Sequence, residues 1–393
     1  MADGATIRDR TAVSGIGVSR FAFAAEETPL GLAAEAFKAA LVDAGLTKDA
    51  VDGLAINIGW PLGVDYDRFA ETLGLRIRFV EQAWTHGRFA GPTLQAAAMA
   101  IHTGLATCVA CLCGVSFTRE RQLLGGPGDF EGTREEGGTH QENPVYGMTA
   151  PAAGAALAAQ RYFALYGATS QELAAVPIAF RKHALLNPGA LMKKPLSLEE
   201  HQRSRWIVEP LHLFDCCLVT DGAACVLVTS AERSRDRRKP PVLIAGMQGL
   251  RAGRDDVLFG RPGLGLWQQR TFRWTPADDD LLVYRMASLT QRDVGALYTY
   301  DAFSPLVWFV LERFGFCGPG EAAKWTQGGR IELGGELPMN TSGGLLSEAH
   351  VSGWNSIVEL VRQLRGEAGP RQVPGIQVAQ WATAWGDSLI FRR

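Results

Sequence analysis

One spacing recurs across this chain and limits the folds open to it. Ala44-x-Leu46-Thr47-x-x-x-Val51-x-x-Leu54 reappears as Ala287-x-Leu289-Thr290-x-x-x-Val294-x-x-Leu297, five matches in register over eleven positions. Each copy joins a helix-like run to a strand-like run: PLGLAAEAFKAALVDAGL, stopping at Gly45, leads to LAINIGW, and the second copy leads to YTYDAFSP. The pieces that follow also agree. THGRFAGPTLQAAAMAIHTG and NTSGGLLSEAHVSGWNSIVELVRQLRG each read as a glycine-rich turn opening a helix, and each is followed by a strand, CVACLCGVS and IQVAQWATAWG. A repeated αβ unit of this size predicts two similar halves packed around shared layers. We place them at 1–240, with an inserted region at about 118–205, and at 241–393, joined through SRDRRKPP.

The insert has no counterpart in the second half. Its first part, from 118 to about 150, is polar and glycine-rich (LLGGPGDFEGTREEGGTHQENP) and too long for a passive connector. It is expected to cover a site or form an interface, with Tyr146 and His140 as residues that can gate a pocket. Two helices are expected next, one ending at Gly167 and one over SQELAAVPIAFRKHALL, and DGAACVLVTS reads as a buried strand.

Charge and composition exclude several classes. Lys and Arg number 39 against 41 Asp and Glu, which gives no basic face for nucleic acid or anionic membrane. No apolar run reaches the ~20 residues of a membrane span, and MADGATIRDRT lacks a signal-peptide core, so a cytoplasmic protein is expected. The seven cysteines form no paired CxxC motifs. Cys108, Cys111, Cys113, Cys216, Cys217 and Cys225 lie in apolar runs and Cys317 follows a glycine-rich turn, so buried thiols are expected and no metal site.

Further elements carry chemistry. Asn340-Thr-Ser-Gly343-Gly344 is followed by His350, six residues after the second glycine, and Thr299-Tyr300-Asp301-Ala302-Phe303 closes the repeat's strand. With Arg161-Tyr162, Tyr166-Gly167, Asn187-Pro188, Pro210-Leu211, Asp221-Gly222-Ala223-Ala224 and Gln363-Leu364-Arg365-Gly366, in this order, the chain resembles the thiolase superfamily, in particular the sterol carrier protein-x branch. The first group matches the thiolase N-x-x-G-G…G-H element and the second stands in place of N-E-A-F. The resemblance implies a five-layer αβαβα fold built from two halves, which agrees with the repeat.

The chain departs from that family where the chemistry begins. A thiolase carries its nucleophilic cysteine at the start of the first-half helix, where helix dipole and backbone N–H groups lower its pKa. Counting back from Ile101-His102-Thr103-Gly104, that position falls near Gly87, and no cysteine precedes Cys108. The second thiolase cysteine is replaced by the stretch Ala384-Trp385-Gly386-Asp387. Without the nucleophile, a tyrosine and a histidine can still move protons and support an enolate. This suits retro-aldol cleavage of a β-hydroxyacyl-CoA to a ketone or aldehyde and a shorter acyl-CoA.

The pattern resembles bacterial thiolase-like aldolases that shorten steroid side chains. That resemblance implies coenzyme A as part of the substrate and no tightly bound cofactor. It further implies a homodimer core with a small OB-fold/zinc-ribbon partner protein. It makes Tyr300, His350 and Asn340 the catalytic candidates, with Gly343, Gly344, His86, Tyr298 and Tyr146 toward substrate. In those aldolases a second tyrosine stands where this chain has His350. Tyr298, two residues before Tyr300, is expected to share its strand face; Asp301 is expected to support the turn; Arg181, Lys182, Lys193 and Lys194 are available for CoA phosphates. Two other readings stay open: an acyltransferase working without cysteine, and a non-catalytic acyl-CoA- or lipid-binding subunit.

Overall fold

The computed structural model describes residues 7–59, 64–118, 150–235, 239–251 and 281–393. Its strands are β1 (Thr11–Val18), β2 (Gly53–Ile58), β3 (Phe79–Gln82), β4 (Cys108–Ser116), β5 (Trp206–Val208), β6 (Leu211–His212), β7 (Asp221–Ser230), β8 (Val242–Gln248), β9 (Ala296–Tyr298), β10 (Val378–Ala382) and β11 (Ser388–Arg392). Nine of them form one sheet in the order β3-β2-β4-β7-β1-β8-β11-β10-β9, while β5 and β6 make a separate hairpin.

The sheet has an internal two-fold pattern. On one side β2 runs parallel to β4, β4 antiparallel to β7, and β7 antiparallel to β1. On the other, β9 runs parallel to β10, β10 antiparallel to β11, and β11 antiparallel to β8. The two sets meet where Ala12 and Val13 of β1 pair with Leu243 and Val242 of β8. The repeated residues explain the pattern. Ala44 and Ala287 end the helices Pro29–Ala44 and Leu282–Ala287, which both stop in the left-handed conformation, at Gly45 (φ 63) and Ser288 (φ 55). Thr47 and Thr290 then precede single 3-10 turns, and Val51, Val294, Leu54 and Leu297 are all buried. Three of the five repeated positions are thus burial positions used twice, Leu46 and Leu289 are half-buried, and the exposed Thr47 and Thr290 open the turns.

Packing gives the layers. Helix Pro29–Ala44 lies on β1, β4 and β7, and Leu282–Ala287 lies on β8 and β11. Between them, helices Ala90–His102 and Trp354–Arg365 each touch strands of both sets. Helix, strands, paired helices, strands and helix make five layers, the thiolase-like α/β architecture. Strands covered on both faces carry unbroken apolar runs rather than alternation, as CVACLCGVS in β4 and GAACVLV in β7 show. Cys108, Cys111, Cys113 and Cys225 are buried free thiols there; Cys216, Cys217 and Cys317 are free and partly buried. Among the described residues no helix is long and apolar enough to cross a membrane.

Burying so much leaves titratable groups inside, and these set a pH dependence. Burial raises the Asp301, Glu312, Asp387 and Glu81 carboxyls to about 7, and raises Glu348 as well. It lowers His183 to about 4. A raised carboxyl contributes stability that is present below its unfolded value near pH 4 and is lost as pH rises through its folded value. His183 acts oppositely, its contribution being lost as pH falls from about 6.5 through about 4. The carboxyls outnumber the imidazole across the shared window. The Tm is therefore expected to fall between pH 5 and pH 8, by several degrees, in calorimetry at constant ionic strength. A Tm that climbs over that range would contradict this assignment.

Candidate active site

The site is built where the two chemistry-bearing elements of the second half lock together. β9 ends at Tyr298, and the chain continues through Thr299, Tyr300 and Asp301. Asn340, in the left-handed region at φ 41, clamps this segment with its amide: Oδ1 accepts from Thr299 N (2.9 Å) and Nδ2 donates to Thr299 O (3.0 Å). Asp301 completes the lock. Its carboxylate accepts from the N–H groups of Leu345 (3.0 Å) and Leu346 (3.3 Å), the open donors of the short helix Gly344–Ser347. Gly344 (φ 58) has to be glycine, since a Cβ there would stand 2.2 Å from Asp301 Oδ2. Asn340→Ala removes two buried hydrogen bonds and is expected to cost about 1–3 kcal/mol, read as a lower urea midpoint at unchanged m-value.

This lock presents Tyr300 to a cavity. His350 reaches the same place from the turn after the short helix, four residues ahead of helix Trp354–Arg365. Its N–H donates to Thr220 Oγ1 (2.8 Å), and its ring stacks on Phe117 with centroids 4.7 Å apart. Tyr300 Oη lies 3.5 Å from His350 Nε2, a separation of the kind that tightens when substrate closes a site.

The opposite wall comes from the first half. His86 caps the 3-10 turn Gly87–Phe89 that leads into helix Ala90–His102, its Nδ1 accepting from Arg88 N at 3.1 Å. Its ring packs against Tyr300 (5.1 Å) and Trp385 (5.4 Å). Gly87 touches Tyr300 directly: a Cβ at residue 87 would stand 2.0 Å from Tyr300 Cδ2. The tyrosine ring therefore fills the space that a cysteine side chain at this position would need.

Together these residues open on a cavity of about 840 Å³, large enough for a bulky small molecule. Phe23, Phe117, Ile207, Leu213, Phe214 and Leu346 make much of its wall apolar, and Arg181 and Arg205 bring positive charge to it. Burial holds the Tyr300 hydroxyl well above the usual phenol range, with Cys217 and Asp301 pushing the same way and Arg88 opposing. Tyr300 is thus a neutral phenol at pH 7, able to donate a proton or to pass one to His350. Cys217 also lines the cavity, but burial pushes its thiol up to about 12, and Cys216 beside it is raised too. Neither is poised as a nucleophile. Among the described residues no three His, Cys, Asp or Glu side chains converge as a metal site requires.

Of the residues singled out from the sequence, Tyr300, His350 and His86 come together on the cavity. Tyr298 does not. β9 ends at that residue, so alternation no longer relates it to Tyr300; it is fully buried, and its hydroxyl bonds Thr341 (2.8 Å) beside the Glu359–Arg371 pair. Asn340, Gly343 and Gly344 stand behind the cavity wall and hold it. Tyr146 and His140 lie outside the described residues. Arg181 lines the cavity, whereas Lys182 pairs with Glu332 (2.6 Å) and Lys193 donates to the carbonyls of Asn187 and Pro188; Lys194 receives Arg181 at its own carbonyl (3.1 Å). Sequence reasoning missed Thr85 and Phe117 on the cavity wall and Trp385 against the His86 and Tyr300 rings. Trp385 alone carried a signal, lying in the stretch that replaces the second thiolase cysteine.

Comparison with known proteins identifies the family. Residues 282–389 match the thiolase C-terminal domain-like family. The chain is 39% identical over 373 residues to the 17-hydroxy-3-oxo-4-pregnene-20-carboxyl-CoA lyase of Mycobacterium tuberculosis, covering 91% of this chain and 92% of the relative. It is 38% identical over 370 residues to the steroid side-chain-cleaving aldolase of Thermomonospora curvata, covering 90% of each. Among solved structures, the Ltp2-ChsH2(DUF35) aldolase superposes with a TM-score of 0.86 at 34% identity over 98% of both chains. Human mitochondrial 3-ketoacyl-CoA thiolase in complex with CoA shares the fold (TM-score 0.66, 16% identity, 98% of both chains). With 38–39% identity over nine-tenths of the chain and a shared fold, the chain belongs to the thiolase-fold family of steroid side-chain-cleaving aldolases, carbon–carbon lyases acting on CoA thioesters.

Proposed function

We propose that this chain cleaves a β-hydroxyacyl-CoA whose acyl group is a steroid or a similarly bulky polycycle, giving a ketone and a shortened acyl-CoA. The observation that carries this reading is the contact between Gly87 and the Tyr300 ring, which puts a phenol where acyl transfer by a thiolase needs a thiolate. In this reading the Tyr300–His350 pair takes the proton from the β-hydroxyl. The carbonyl forms as the Cα–Cβ bond breaks, the electron pair passes into the thioester as an enolate, and Cα is then protonated. Asn340 acts by positioning, since its amide holds the Tyr300 segment. The cavity's size and apolar wall favour a polycyclic acyl chain, and the names of the two relatives favour a steroid.

CoA enters as part of the substrate. The solved relative's name supports a DUF35 partner, and we take it to be the small OB-fold/zinc-ribbon protein expected from the resemblance. We further read the protein as a cytoplasmic homodimer bound to that partner. The strand orders on either side of the β1–β8 junction support halves dividing near residue 240. Acyl transfer and carbon–carbon cleavage differ in their need for free thiol. Titrating free CoA into the complex with its thioester substrate should leave the initial cleavage rate unchanged down to zero added CoA; a rate that vanishes without CoA would sink the lyase reading.

A further inference from the structure

Retro-aldol cleavage needs a group to move the hydroxyl proton and a separate donor where charge develops, at the thioester oxygen. The Tyr300–His350 pair serves the first need, which leaves the second to another part of the cavity. Thr85 and His86 both line it and are both buried, at 0% and 5% exposed. His86 is held at three points. Its N–H donates to Trp84 O (2.8 Å), its carbonyl accepts from Phe89 N (2.9 Å), and Nδ1 accepts from Arg88 N (3.1 Å). Because a backbone N–H occupies the Nδ1 lone pair, the ring's own proton sits on Nε2. The imidazole presents an N–H rather than a base, and a neutral imidazole so fixed can polarise a carbonyl. Trp84 (5.1 Å), Tyr300 (5.1 Å) and Trp385 (5.4 Å) pack around the ring and fix its plane.

Thr85 supplies an independent observation. Its Oγ1 is buried and has no hydrogen-bond partner among the described residues. Buried hydroxyls are seldom left so, and one on a cavity wall calls for a polar group of the ligand. Accordingly, we propose that Thr85 and His86 form the oxyanion hole of this enzyme, the threonine O–H and the histidine Nε2–H donating to the thioester oxygen as it gains enolate charge. This rests on the lyase reading above. It also divides the labour: the first half of the chain stabilises the enolate and the second half moves the proton.

The test uses the full chain in complex with its partner and a 17-hydroxy steroid side-chain CoA thioester. Thr85→Val removes a hydroxyl that makes no hydrogen bond among the described residues, so Tm should hold or rise. His86→Asn keeps an acceptor for Arg88 N, since asparagine is a good N-cap, but withdraws the donor at Nε2. Each variant is expected to lower kcat, by about 10²–10³-fold for one lost oxyanion donor, with KM changed by no more than a few-fold. The pH profile of kcat should keep its shape, because neither residue carries the transferred proton. His86→Gln, which puts amide N–H groups back near the Nε2 position, should recover part of the loss. Wild-type kcat in both Thr85→Val and His86→Asn would overturn the proposal, leaving His86 as a turn cap. A rise in KM alone would reduce the pair to substrate binding, and loss of one limb of the pH profile in His86→Asn would make His86 a base. If the wild-type complex itself does not cleave the thioester, the lyase reading falls and the oxyanion hole with it; if wild type cleaves and the variants match it, only the oxyanion hole falls.

Discussion

Tyr300→Phe is expected to lower kcat for carbon–carbon cleavage by about two orders of magnitude or more, the usual cost of removing an essential acid or base. The fold should hardly notice. The ring is held by its contacts with Gly87, His86 and Trp385, and all of these survive the substitution. The hydroxyl's one described hydrogen-bonding neighbour is His350, at 3.5 Å, so the stability change should stay near 1 kcal/mol or below. KM should move little, because one hydroxyl contributes only a small part of the contact that a large apolar acyl group makes with a cavity of this size. His350→Ala tests the other member of the pair and is expected to fall by a similar factor. A non-catalytic subunit would behave differently, with both variants leaving the activity of the complex intact. Steady-state kinetics on the purified complex, with Tm measured alongside, separates the two readings.

Gly87→Ala should be nearly as damaging, by a different route. The added methyl would lie 2.0 Å from Tyr300 Cδ2 and 2.4 Å from Cγ and Cε2, so it cannot be accommodated unless the ring or the His86–Phe89 turn moves. Overpacking of this kind costs about 1–3 kcal/mol of stability. The ring's displacement takes the hydroxyl away from His350, so kcat should drop toward that of Tyr300→Phe. Gly87→Cys carries the same clash with a larger side chain. It should not yield a thiolase, because the space beside residue 87 already belongs to the tyrosine. The double variant Gly87→Ala/Tyr300→Phe should be scarcely less active than either single one, since both act on the same hydroxyl. Wild-type kcat in Gly87→Ala would show that Tyr300 need not stand where it does.

How much of this was legible beforehand depended on whether a residue's role was local. The repeated Ala, Leu, Thr, Val and Leu spacing forecast the duplicated halves because burial of its alanine, valine and second leucine follows from helix and strand periodicity, and its exposed threonine marks the turn between them, all of which a single chain displays. Asp301 was readable as support for its turn, and it holds the helix of the Asn340–Gly344 element. That element stands at the cavity as scaffold: Asn340 and Gly344 face the Tyr300 segment from behind the cavity wall. Tyr298 misled because alternation assumes a strand that continues, and β9 stops at that residue. Phe117 was hidden for another reason: it is an aromatic residue in an apolar run, and only the packing of distant segments brings it to His350. Thr85 left no trace in the sequence, since an unpartnered hydroxyl is a property of three-dimensional surroundings.

The most direct test of the central claim is product analysis in D2O. The protein and the proposed DUF35-type partner would be mixed with a 17-hydroxy steroid side-chain CoA thioester and no free CoA, and small molecules and intact protein both weighed by mass spectrometry. The account predicts a 17-ketone, a shortened acyl-CoA carrying one solvent deuteron at Cα, and protein that carries no acyl group. Cleavage that waits for added CoA, with an acyl group found on the protein, would contradict it.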